Sequence, residues 1–172
     1  SGPNSLFGIQ TWLALPDAQE DMTPMFEHFG RQALPVIEDS GVTLRLILGN
    51  AYGETAPAQM FTDTFYADVA LEAGRRLPMP DDHEDRGIYI VEGSITVAGQ
   101  SFDAGQMMVF RPGDRITVAA GDRGARLMIL GGATFPGPRY IWWNFVASSR
   151  ERIEQAKAEW RAENWGKGRF DL

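Results

Sequence analysis

The sequence has no cysteine and only two histidines, His28 and His83. The first absence excludes disulfide scaffolds, thiolate zinc sites, iron–sulfur clusters and cysteine nucleophiles. The second excludes a three-histidine metal site built within this chain. Positive charge is also scarce: 16 Lys and Arg stand against 23 Asp and Glu in 172 residues, a formal charge of −7. That balance argues against a nucleic-acid backbone as partner. No apolar run approaches the roughly 18–20 residues that span a bilayer. The start, Ser1-Gly2-Pro3-Asn4, has neither a basic region nor an apolar signal core. The expectation is a cytoplasmic protein that binds neither nucleic acid nor membrane. Glycine and proline, by contrast, are plentiful at 19 and 10, which favours many short elements over long helices. A hydrophobic content of 44% is ordinary for a globular domain, and the length suits one.

Hydrophobic patterning points to strands. Phe7, Ile9, Leu13 and Leu15 alternate before Pro16, as on one face of a strand with Thr11 as its weak position. Residues 17–40 mix acidic, proline and glycine positions and read as a linker with at most one short helical turn. Val42 to Leu48 is strand-like. In the run Phe65 to Leu71, the residues Phe65, Ala67, Val69 and Leu71 face inward and Asp68 outward. Ile88–Val91 and Ser94–Ala98 flank Glu92-Gly93 and read as a hairpin. Gln106–Phe110, Ile116–Val118 and Arg126–Leu130 are further strands, with Gly121 to Gly124 read as a turn between the last two. Turn signals recur about every 8–12 residues, the spacing of a β-sandwich or barrel. Only the end looks helical: Ser148 with Glu151 forms a capping-box pattern, and Ile153, Ala156 and Trp160 share a helical face that should pack on the barrel. Gly166 and Gly168 end that pattern.

Catalytic signatures are few. Gly93-Ser94 is not a Gly-x-Ser-x-Gly elbow, and no phosphate-binding glycine loop occurs. Carboxylates are abundant, and a paired-carboxylate hydrolase stays open on sequence alone. His83 lies in Asp81-Asp82-His83-Glu84-Asp85-Arg86, where it reads as part of an exposed acidic loop rather than a divalent-ion site. His28, between Phe26 and Phe29, reads as packed or exposed. Tyr140, Trp142, Trp143 and Phe145 read as core and interface packing in preference to a ligand cavity.

The stretch from Gly74 to Gly113 resembles a cupin. Gly74 opens the first motif and Ile88-Tyr89-Ile90-Val91-Glu92-Gly93 closes it; Gly105 opens the second, which closes at Arg111-Pro112-Gly113. The resemblance implies an all-β double-stranded β-helix, or jelly-roll barrel, followed by a C-terminal helix. It also implies where metal ligands would stand. The first motif offers His83 alone, its glutamate position falls on Arg86, and the histidine position of the second falls on Ile116. An arginine repels a cation and an isoleucine offers no lone pair.

Four segments are similar to the pirin family in particular: Gly8 to Pro16, Phe61 to Val69, Ile88 to Gly93, and Trp143 to Ala156. Pirins are bicupins whose N-terminal barrel holds the metal, usually iron, on three His and one Glu. The resemblance therefore implies a C-terminal half, its N-terminal cupin cleaved away or never included. Residues 1–40 are then inter-domain strand and linker, 41–147 the barrel, and 148–172 the helix and tail. No catalytic, cofactor-binding or metal-binding residue is assigned here, and iron is expected in the missing cupin. The whole protein is expected to support quercetin 2,3-dioxygenase-type chemistry, to act as a non-enzymatic regulatory protein-binding module, or to bind a small molecule. A homodimer through the N-terminal strand is expected, because its apolar face lacks a covering domain.

Overall fold

The structure, a computed structural model, describes residues 8–162. In chain order its strands are β1 (Val36–Asp39), β2 (Val42–Ala51), β3 (Glu54–Thr55), β4 (Thr64–Leu71), β5 (Arg76–Pro78), β6 (Asp85–Val97), β7 (Gln100–Asp103), β8 (Met107–Phe110), β9 (Thr117–Gly132), β10 (Tyr140–Trp142) and β11 (Phe145–Ala147), with one helix, α1 (Arg150–Arg161). The chain is all-β with a C-terminal helix, as the turn spacing implied. It divides into two compact units, Met25–Thr134 and a second one made of Ser1–Pro24 with Phe135–Leu172.

The larger unit is one antiparallel sheet in the order β1-β2-β4-β9-β6-β7, with β3, β5 and β8 paired onto β2, β9 and β6. Alternation decides which face is the core. Phe65, Ala67 and Val69 of β4 are fully buried with Leu71, and they meet Leu44 and Leu46 of β2, Ile88, Ile90 and Ile95 of β6, and Leu127 and Ile129 of β9. On the other face of β4, Asp68 accepts two hydrogen bonds from Arg126, 2.9 and 3.0 Å long. That pair holds the Arg126 guanidinium more firmly in its charged form, first through the hydrogen bond itself.

Two expected turns are absent. Residues 85–97 form a single 13-residue strand, so Glu92-Gly93 is not a hairpin. Residues 117–132 form a single 16-residue strand, so Gly121 to Gly124 is not a turn. The glycines serve a different purpose. β6 and β9 pair from Asp85↔Gly132 to Val97↔Val118, with register shifts between Ile90 and Glu92 and between Gly93 and Ile95. At this irregularity Gly93 has φ +77° and Gly124 has φ +78°. A Cβ on Gly93 would collide with the Gly124 carbonyl oxygen. The residues supply left-handed backbone and close strand approach within a bulged ladder.

The expected strand at the N-terminus also fails to form. Phe7 lies outside the described residues, and residues 8–16 are irregular, with no strand of the described residues pairing with them. Alternation marks a face, but a strand needs a partner edge to satisfy its backbone. Residues 17–40 are more structured than a linker, carrying two 3-10 turns, Asp17–Gln19 and Arg31–Ala33, and then β1.

In the smaller unit β10 and β11 form a hairpin, with Trp142 opposite Phe145 and Tyr140 opposite Ala147. Helix α1 lies on this hairpin, and its Ile153 and Ala156 are buried. Trp160 is half-buried, its ring edge-on to Trp143 with centroids 4.3 Å apart. The helix cap falls on Ser149, whose side chain accepts from the Arg152 amide, while Ser148 donates to Glu20. Arg152 at the third helical position leaves Ser149 a simple N-cap. Gly166 and Gly168 lie outside the described residues.

Candidate functional site

Register places the candidate site at one end of the large sheet. Thr64 and Asp85 both pair with Gly132, and Phe65 pairs with Gly49 and Gly131, so the starts of β4 and β6 meet the ends of β2 and β9. The acidic loop enters β6 at this end. Asp81, Asp82, Glu84 and Asp85 are exposed as expected. His83 is not: it is 3% exposed, which corrects the reading of the whole loop as a solvated face.

What turns His83 inward is a set of partners distant in sequence. Its Nδ1 lies 2.8 Å from Asp63 Oδ2, and its Nε2 lies 2.9 Å from the Asn50 carbonyl oxygen. A carbonyl only accepts, so Nε2 donates. Nδ1 shares a hydrogen with the carboxylate, whichever of the two holds it. The ring also lies against Phe65, with centroids 4.6 Å apart. His83 thus fastens the acidic loop to β2 and to the entry of β4.

Arg86, three residues on, is 2% exposed. Its Nη1 donates to the Pro80 carbonyl at 3.1 Å, and its Nη2 to the carbonyls of Asp114 at 2.7 Å and Arg111 at 3.4 Å. Its Nε is buried with no protein partner. No carboxylate of the described residues lies within ion-pair distance of this guanidinium. Ile116 is half-buried and packs against the core.

Tyr52, unremarked in the sequence, completes the cluster. It sits in the β2–β3 turn with φ +52°, a conformation unfavourable for a bulky residue. Its hydroxyl donates to the Pro78 carbonyl at 2.7 Å. Burial pushes the phenol well above its ordinary range, and the nearby Asp82 charge adds to the effect. The anchored ring accounts for a residue that the turn itself disfavours.

These residues do not fit a metal ion. Neither nitrogen of His83 presents a free lone pair, Arg86 is a cation, and Ile116 has no donor atom. Among the described residues no three of His, Asp and Glu converge as a metal-holding group.

The other singled-out residues are placed elsewhere. His28 is exposed. Trp142 stacks parallel on Phe145 at 6.0 Å, and Lys157 and Arg150 cover Trp142 and Tyr140. Trp143 is 57% exposed at the hairpin tip, with φ +51°. This cluster packs on itself and on α1.

The sequence matches the family model for the pirin C-terminal cupin domain over residues 66–166, more than half of the chain. The chain belongs to the pirin family, as a pirin C-terminal cupin. A pirin-like protein of Caulobacter vibrioides is 41% identical to this pirin cupin over 156 residues, 90% of the chain and 54% of that protein. Human pirin is 25% identical, over 90% of the chain and 55% of its own length. A crystal structure of quercetin 2,3-dioxygenase from Acinetobacter baumannii superposes with a TM-score of 0.80 at 28% identity, covering 94% of the chain and 52% of that protein. The chain thus spans about half the length of the curated relatives it matches. No helix of the described residues is long and apolar enough to cross a membrane.

Proposed function

We propose that this pirin cupin is the metal-free second barrel of a two-barrel protein, and that it serves as scaffold and wall for a metal-bearing first barrel. The observation that carries this reading is the engagement of both polar residues at the ligand positions. Both ring nitrogens of His83 and both terminal nitrogens of Arg86 are held by protein acceptors rather than poised for a ligand. The companion cupin would hold iron, and an open iron site is what dioxygen chemistry needs. In that whole protein a quercetin 2,3-dioxygenase-type reaction is the activity to test. Support comes from the Acinetobacter relative, whose similarity spans 94% of this chain. A cytoplasmic location is part of the proposal.

The regulatory, protein-binding alternative is favoured by one feature, an apolar strip on the outward face of the sheet. Tyr89 is opposite Met107 and Gly87 opposite Val109 in the β6–β8 ladder, and Val109 is 75% exposed. Self-association through the N-terminal segment is proposed on similar grounds, since Ile9, Trp12 and Leu13 are each exposed by 43% or more. The small-molecule-binding reading gains no such support.

The experiment uses the full-length parent and this chain side by side. Each is incubated with ferrous iron and quercetin, and loss of the flavonol absorbance is followed in air. Turnover by the parent with none from the chain supports the scaffold reading. Metal-dependent turnover by the chain overturns it. Inactivity of both leaves the protein-binding alternative as the account.

A further inference from the structure

A cupin metal is held jointly by the first and second motifs, so the ion ties the two together. In this chain the residues at those positions do not fit an ion, yet the same two motifs remain tied. Arg86 belongs to the first motif, between Gly74 and Gly93. Two of its three acceptors, the carbonyls of Arg111 and Asp114, belong to the turn that closes the second. The third, the carbonyl of Pro80, belongs to the loop preceding β6. We infer that Arg86 is a built-in cation that replaces the bridging role of a metal, clasping the 111–114 turn and the residue 80 loop to the start of β6.

Charge and burial carry the argument. A guanidinium at 2% exposure with no carboxylate of the described residues in ion-pair range is costly unless its donors are met by dipoles. Carbonyl oxygens of two loops meet its two terminal nitrogens, the ligand type a hard cation also takes, and Nε alone is left without a protein partner. Arginine suits the task because it stays charged and its donors form a rigid fork. A lysine at the same place would reach fewer of the oxygens. Two backbone bonds report on the clasped loops: the Met79 amide donates to the Ile116 carbonyl at 2.9 Å, and the Asp114 amide to the Arg111 carbonyl at 3.3 Å.

Amide hydrogen exchange of Met79 and Asp114, compared with Leu127 and Ile129 in β9, tests the inference in this chain and in Arg86→Lys and Arg86→Met. The clasp predicts selective acceleration at Met79 and Asp114, about tenfold or more in Arg86→Met and less in Arg86→Lys. Unchanged rates at both amides in Arg86→Met would overturn it, as would acceleration spread equally over β9. A measurement on the unaltered chain stands if neither variant folds. The Nη hydrogens of Arg86 should appear as separate, slowly exchanging resonances, unlike those of exposed Arg123. Averaged, fast-exchanging Arg86 resonances would overturn the clasp by themselves.

Discussion

Replacing His83 by alanine removes a ring that the sequence alone places in solvent and the structure places in the core. Two hydrogen bonds disappear with it. The one to the carbonyl of Asn50, an exposed residue, contributes about 0.5–1.5 kcal/mol. The one to Asp63 counts for less, because that carboxylate is 41% exposed and water takes the place of the imidazole. Removing the ring from its contact with Phe65 leaves a void that adds about 1–2 kcal/mol. The sum is about 2–4 kcal/mol, or roughly 4–16 °C in melting temperature for a domain of this size. Chemical denaturation of His83→Ala and of His28→Ala provides the assay, the second being a control at an exposed position. His28→Ala should lie within about 0.5 kcal/mol of the unaltered chain. Equal, negligible effects for the two histidines would refute the packing described for His83.

Other outcomes follow from the same geometry. Gly93→Ala should cost more than Gly99→Ala, although both have positive φ, because only at Gly93 does a Cβ strike backbone; the difference in denaturation free energy should exceed about 1 kcal/mol. Tyr52 is held neutral by burial, its folded-state value raised above the unfolded one. That stability is therefore complete below the ordinary tyrosine range and is lost as pH rises through the raised value. An alkaline titration at 295 nm should show Tyr52 ionising last or only on unfolding, a lag absent from Tyr52→Phe. The Glu154 carboxyl is lowered, first by its hydrogen bond from Lys157, so its contribution to α1 is present above the ordinary glutamate range and lost as pH falls through the lowered value. Glu154→Gln should flatten the acid dependence of helical circular dichroism, and salt should shrink the difference. Trp160→Ala should cost about 1–3 kcal/mol, below the cost for a fully buried ring, because Trp160 is half-buried on Trp143.

What could be read from the sequence was whatever depends on near neighbours. The alternation of Phe65, Ala67, Val69 and Leu71 identified both β4 and its buried face. The same rule misread residues 8–16, because alternation cannot tell whether an edge is available to pair with. Gly93 and Gly124 looked like turn glycines, for a positive φ has one sequence signature whether the chain reverses or bulges. The site escaped for a related reason. His83 sits among four acidic neighbours that do face solvent, and its partners Asp63 and Asn50 lie 20 and 33 positions away. Arg86 was legible as a departure from a ligand set, but its carbonyl acceptors carry no side-chain signal at all. Tyr52 passes unremarked beside Gly53, because nothing local announces that its ring packs against the core.

The central claim is that the ligand positions of this pirin cupin are occupied by structural contacts and offer nothing to a metal. It is tested most directly by loading the purified chain with ferrous iron and, separately, nickel under argon, desalting, and measuring metal per chain by elemental analysis. The account predicts well under one ion per chain, with no difference between the unaltered chain and His83→Ala. About one ion per chain, lost in His83→Ala, would contradict it.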